Sequence, residues 1–314
     1  MAKKAAKYMR SNSSSQPTSQ HFPALSCMVA AVLWGLLWYP LRLLEEMGVS
    51  GLWSTLIIYC SALVFLAPAC WRWRAEFLQH KTDYLLVGVF AGWANLAFIL
   101  AMLEGEVVRV LLLFYLSPIW AILLAFFILR ERLTKTGLVA LVLAMLGAVL
   151  MLWNPELFDL NTMSLADFYA ITAGMAFAVT NVVVRKIGEV PIGMKMGAAW
   201  LGVLGLTLCG LLIAQPQLPD MTIQSGMLAF LIGFPMMYVL TWTAQYGVTF
   251  LPIQRSSVIF LLEIVAGAVS AAFLTNEIVS NLEYIGGALI IFAGLISVLK
   301  EKNGDISAYK SSPT

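Results

Sequence analysis

The chain has 314 residues, 61% of them hydrophobic and 11% charged, with a formal net charge of +2. Soluble domains carry about a quarter charged residues, so a soluble enzyme or binding module is excluded, and a charge this small makes no case for nucleic acid. The composition is that of an all-α polytopic membrane protein. Cys27, Cys60, Cys70 and Cys209 are scattered through apolar runs and His21 and His80 are isolated. No metal or cofactor motif is present, and the cysteines read as small buried apolar side chains.

Residues 1–22 are basic and then Ser/Gln-rich, which predicts a disordered cytoplasmic tail. The apolar run that follows is too long for a secretory signal and reads as a retained helix. A helix needs about 20 apolar residues to cross the hydrocarbon. By that measure ten spans follow, near 23–44, 50–70, 83–103, 107–129, 136–154, 165–185, 192–214, 226–248, 252–274 and 283–300. Residues 301–314 read as a second cytoplasmic tail.

Orientation follows from Lys and Arg. Lys3, Lys4, Lys7 and Arg10 precede span one. Arg72, Arg74, Lys81, Arg130, Arg132, Lys135, Arg185, Lys186, Lys195, Lys300, Lys302 and Lys310 fall on the same side if there are ten spans. The opposite connections carry Glu45, Glu46, Glu104, Glu106, Glu156, Asp159 and Asp220. Both termini are therefore expected in the cytoplasm, in a plasma (bacterial inner) membrane.

An internal repeat organises the spans. "LSPIWAILLAFFILRERLTKTGLVALVLAMLGAVL" from Leu116 aligns with "LEIVAGAVSAAFLTNEIVSNLEYIGGALIIFAGLI" from Leu262. Ser117 falls on Glu263, Glu131 on Glu277, Arg109 on Arg255 and Asn95 on Thr241. Further back, Trp34 pairs with Phe177, Trp38 with Asn181 and Arg42 with Arg185. Five spans per copy, 23–154 and 155–300, put the second copy in the membrane upside down. Inverted five-helix repeats are a transporter architecture, with the substrate site near the midplane where the halves meet.

On these marks the chain resembles the drug/metabolite transporter superfamily, in particular its ten-helix EamA-type members. The residues that carry the resemblance are Trp34 and Gly35, then Pro118, Glu131 and Gly147, and in the second half Glu277, Gly287 and Gly294. It covers about residues 25–300. It departs from the usual pattern where Ile264 replaces a second proline. The resemblance implies a central cavity lined mainly by helices one, three, four, six, eight and nine. It leaves the substrate open.

Glu263 is the first candidate. It lies roughly 16 Å along span nine from Pro252, close to the midplane. An ionised carboxylate there costs at least about 2.5 kcal/mol, and such residues usually face a cavity. It reads as a proton-coupling group or a counter-ion for an amine, against a structural acid that holds helices together. Arg109 and Arg255 form a symmetric pair near opposite mouths, joined by Arg42 and Arg185. These can guide a carboxylate, or snorkel to headgroups, with Glu106 as a helix-surface partner for Arg109.

Polar faces at helical spacing supply the rest: Tyr238, Thr241 and Gln245; Asn181 with Phe177; Trp34 and Trp38; Asn95; Tyr115 and Ser117. Together they read as an amphiphilic, aromatic-rich pocket. Singly, Asn95 and Thr241 serve equally well in interhelical hydrogen bonds, and Gly88 and Gly92 in close packing. Pro118 is a candidate hinge, and Pro235 a second. Trp71 and Trp73 read as interfacial anchors.

The leading expectation is a secondary transporter that exports a small amphiphilic metabolite, an amino acid or related compound, by alternating access. Proton coupling at Glu263 is one version of it. An organic-cation or drug exporter is the alternative, and a non-transporting scaffold or sensor is the alternative of another class. The expected partners are a small-molecule substrate, the lipid bilayer and protons.

Overall fold

A computed structural model describes residues 21–49, 51–72, 78–153, 164–275 and 279–299, and ten long helices account for nearly all of them. They are α1 (His21–Glu46), α2 (Gly51–Arg72), α3 (Lys81–Glu104), α4 (Val107–Leu129) and α5 (Lys135–Met151) in the first half. The second half holds α6 (Leu165–Ile187), α7 (Ile192–Ala214), α8 (Ile223–Phe250), α9 (Ile253–Thr275) and α10 (Asn281–Leu299). Each predicted span coincides with one of them to within a few residues. Among the described residues there is no strand, and nine helices are long and apolar enough to cross a membrane, α5 being the short tenth. The predicted tails, apart from His21 and Phe22, lie outside the described residues, as do Trp73, Glu156, Asp159 and Glu277.

The helix starts are set by short polar side chains that satisfy free backbone N–H groups. Ser164 and Asp167 form a reciprocal capping box on α6, and Thr222 and Ser225 form one on α8. The Thr134 side chain accepts from the Gly137 N–H at the start of α5. Ser280 and Glu283 cap α10 in the same way.

Three spans are interrupted. α1 breaks at Leu37, between segments His21–Leu36 and Trp38–Glu46. α4 breaks at Tyr115 and Leu116, and α9 breaks at Leu261. Tyr115 and Leu261 fall on each other when the sequences of the two halves are aligned with Ser117 on Glu263. In each, i to i−3 bonds replace the α-helical pattern: Leu116 N–H to Leu113 carbonyl (3.3 Å) in α4, and Leu261 N–H to Val258 carbonyl (3.2 Å) in α9. Pro118 sits in the first turn of the second α4 segment, where its missing N–H costs nothing. α9 breaks with no proline, so the interruption belongs to the position rather than to Pro118. Pro235 lies in a π-helical turn, Ile232–Met236, where Phe234 leaves helical geometry and the Phe234–Pro235 peptide is cis.

The helices interleave across the halves. α1 packs against α8 and α9, while α6 packs against α3 and α4. α3 also lies along α7, and α5 lies along α10. Small residues permit this closeness. A side chain on Gly202 of α7 would collide with the Gly88 carbonyl of α3, so close packing is the role of Gly88 and Gly92.

Candidate functional site

The breaks in α4 and α9 meet at one level of the bundle, beside α6. Between them is a cavity of about 20 Å³ lined by Tyr115, Ser117, Pro118, Asn181, Ser257 and Glu263, with Phe114, Phe177 and Phe260 as aromatic walls. That is room for a water and not for a metabolite, so the site is closed in this conformation. Glu263 opens the second segment of α9, and its side chain shares a hydrogen bond with Tyr115. The Phe114 and Phe177 rings lie 5.7 Å apart and the Phe177 and Phe260 rings 6.2 Å apart. Among the described residues Glu263 is the one carboxylate on the cavity wall, and no Lys or Arg is on it.

α1 fixes the level of the acid. A Cβ on Gly35 would sit 2.5 Å from the Glu263 carbonyl oxygen and 2.6 Å from the Ala266 Cβ, closer than packed atoms allow. Three residues on, the Trp38 indole N–H donates to Ser270 Oγ at 2.8 Å. Trp38 thus ties α1 to α9. Trp34 is half-buried and packs at the edge of the core around α1.

Of the expected pocket residues, the cavity gathers Glu263, Tyr115, Ser117 and Asn181, with Pro118 beside them. The α8 face lies elsewhere. Tyr238 packs edge-on against Trp200 and Phe234, and Thr241 Oγ1 accepts from Trp200 Nε1 at 3.3 Å. Gln245 is buried with Oε1 unpartnered among the described residues, as is Asn95 Oδ1 on α3. Ser257 and Phe260 line the cavity without having been picked from sequence. Both are ordinary residues in an apolar run, and only the fold brings them to Glu263.

The arginines are engaged near the helix ends. Arg109 Nε donates to Asp167 Oδ1 at 2.8 Å, joining the starts of α4 and α6, with the two side chains 15% and 3% exposed. Asp167 Oδ2 accepts from the Ser164 N–H as well. Arg42 pairs with Glu46 one turn along, exposed to solvent or headgroups. Arg185 Nε donates to Glu131 Oε1 at 3.1 Å, and its Nη1 donates to the Thr249 carbonyl. Arg255 lies two residues past Ile253, roughly 12 Å along α9 from Glu263.

Glu131 anchors α9 too, because its Oε2 accepts from the Ile253 N–H at 2.9 Å. Gln254 Oε1 accepts from the Thr134 N–H at 3.1 Å, tying α9 to the start of α5. In the sequence Lys195 counts only toward the positive-charge bias. It is fully buried, and its ammonium donates to the carbonyls of Val184 and Gly188 and to Thr249 Oγ1, at 3.1, 2.7 and 2.6 Å. It caps the carboxyl end of α6, where the helix dipole favours a cation. The basic end of the bundle is thus laced together from α4, α6, α7, α8 and α9. Among the described residues no group of three or more His, Cys, Asp or Glu could hold a metal ion.

Comparison with known proteins points the same way. Residues 21–153 match the EamA-like transporter family, so the expected resemblance is shown for the first half. The "Uncharacterized transporter YyaM" of Bacillus subtilis (strain 168) is 21% identical over 248 residues, covering 75% of this chain and 80% of its own length. A protein known from a crystal structure shares the fold, with a TM-score of 0.72 at 17% identity, covering 88% of this chain and 97% of that one.

Proposed function

We propose that this multi-pass membrane protein is a secondary active transporter that moves a small amphiphilic metabolite by alternating access. The observation that carries the reading is Glu263 on a closed cavity where α4 and α9 both break, with aromatic walls from Phe114, Phe177 and Phe260. A carboxylate beside aromatic faces recognises an amine by charge and by cation–π attraction. An amino acid or related compound with an apolar side group suits that lining, and the direction we assign is export across the plasma membrane. Tyr115, Ser117 and Asn181 would supply neutral hydrogen bonds to the rest of the substrate. Glu263 binds the amine, or exchanges it for a coupling proton. The basic end, with both termini, is assigned to the cytoplasm by the positive-inside bias.

An organic cation is the second reading. It is favoured by the absence of Lys and Arg from the cavity wall and by the commitment of Arg109 and Arg185 to carboxylates. Under it, Arg255→Ala leaves transport of cations unchanged. Under the amino-acid reading it slows only substrates that carry a carboxylate.

The test is uptake into proteoliposomes across a panel of amino acids, organic cations and organic anions, comparing wild type with Glu263→Gln at several pH values. Loss of transport or of its pH dependence in the variant is expected. Unchanged transport at every pH removes Glu263 from the mechanism, and absence of any flux across the panel favours a scaffold or sensor.

A further inference from the structure

α5 has 17 residues. At 1.5 Å per residue that is about 25 Å, short of the roughly 30 Å hydrocarbon core. Lys135, its first residue, is therefore held at the hydrocarbon boundary. Beside it, between α5 and α10, a laterally open groove of about 560 Å³ starts at Lys135 and Thr136 and continues over Val139, Phe292, Leu295 and Leu299. Val139, Phe292, Leu295 and Leu299 are all exposed. Along α10 the groove runs seven residues, about 10 Å from the boundary toward the midplane.

A cation at the headgroup level above an apolar slot is the shape and charge of a phospholipid site. The connection into Lys135 also carries Arg130 and Arg132. The acid between them, Glu131, is spent on Arg185 and Ile253. Among the described residues no acidic side chain lines the groove. Among the described residues Lys135 is thus the charged side chain on the groove wall, and basic pockets between transmembrane helices select anionic headgroups. We propose that the α5–α10 groove is a binding site for an anionic phospholipid, with the phosphate at Lys135 and Thr136 and one acyl chain along Val139, Phe292 and Leu295.

The proposal is independent of the transport reading and is tested without transport. The purified full-length protein is titrated with phosphatidylglycerol and with phosphatidylcholine, and bound lipid is counted by native mass spectrometry. Wild type is expected to retain phosphatidylglycerol at least about 5-fold more tightly, the effect of one basic residue near a charged headgroup. Lys135→Gln is expected to bring the two lipids close to parity, Lys135→Arg to keep the preference, and Leu295→Trp to fill the slot and lower retention of both. Lys81→Gln, on α3, is the control and leaves the preference in place. Equal retention of the two lipids by wild type overturns the proposal, and so does an unchanged preference in Lys135→Gln. So does a cross-linked dimer through Leu295→Cys that forms with lipid excluded, which would make a second copy the occupant. Should Lys135→Gln elute aggregated, Lys135→Arg and Leu295→Trp decide the outcome.

Discussion

Replacing Glu131 by Gln tests whether the laced basic end is a gate. One carboxylate oxygen holds Arg185 Nε at 3.1 Å and the other holds the Ile253 N–H at 2.9 Å. Gln keeps one acceptor. Its amide NH₂ can only donate, and the guanidinium also only donates, so the link to α9 or the link to α6 is lost. A hydrogen bond to a charged group contributes about 1.5–3 kcal/mol. The Arg185 and Glu131 side chains are 27% and 21% exposed, so screening lowers this to roughly 1–2 kcal/mol. If this end opens by parting α9 from the α4–α5 connection, the open population rises by about 5- to 30-fold. Ser257 reports on this, since it lines the cavity four residues past Ile253. With the four native cysteines replaced, Ser257→Cys is labelled in proteoliposomes by a membrane-impermeant thiol reagent added at the basic side. Labelling should quicken by that factor in Glu131→Gln. A rate within twofold of the parent would refute the gate.

Two further outcomes are expected. Arg109→Gln leaves Asp167 as a buried, uncompensated carboxylate and should destabilise the protein by about 3–5 kcal/mol in denaturant unfolding in detergent. A loss below about 1 kcal/mol, together with weaker transport of anionic substrates, would return Arg109 to the role of a substrate guide. Gly35→Ala puts a methyl against the Glu263 carbonyl and should cost about 1–3 kcal/mol through overpacking. Thermal unfolding at the wild-type temperature would show that α1 and α9 are not in tight contact at Glu263.

The ten spans were legible because a 20-residue apolar run has few alternatives in a chain this hydrophobic. Glu263 was legible for the same reason, as an acid where only apolar residues are cheap. Pairings across the fold were not. Sequence offers Arg109 a partner three residues away in Glu106 but gives no sign of Asp167, 58 residues on, which meets it because α6 crosses into the first half. Lys195 carried a charge-bias signal that any exposed lysine would carry, and its three buried acceptors are scattered between Val184 and Thr249. Trp38 looked like a pocket wall because indole rings suit one, and its N–H is spent on Ser270. The breaks at Tyr115 and Leu261 have no shared residue to announce them, since Pro118 has no counterpart in α9.

The exchange of α1 and α6 between the halves also sets an order of assembly. As the chain leaves the ribosome, α1 enters the membrane before its packing partners α8 and α9, which are made some 200 residues later. Until then Gly35 and Trp38 have nothing to close on. The α3 and α4 faces of the first five helices are covered by α6, with α7 on α3 and α9 on α4, all made later. The surroundings of Glu263 are drawn from α4, α6 and α9, so the acid is made after the α4 and α6 residues that face it.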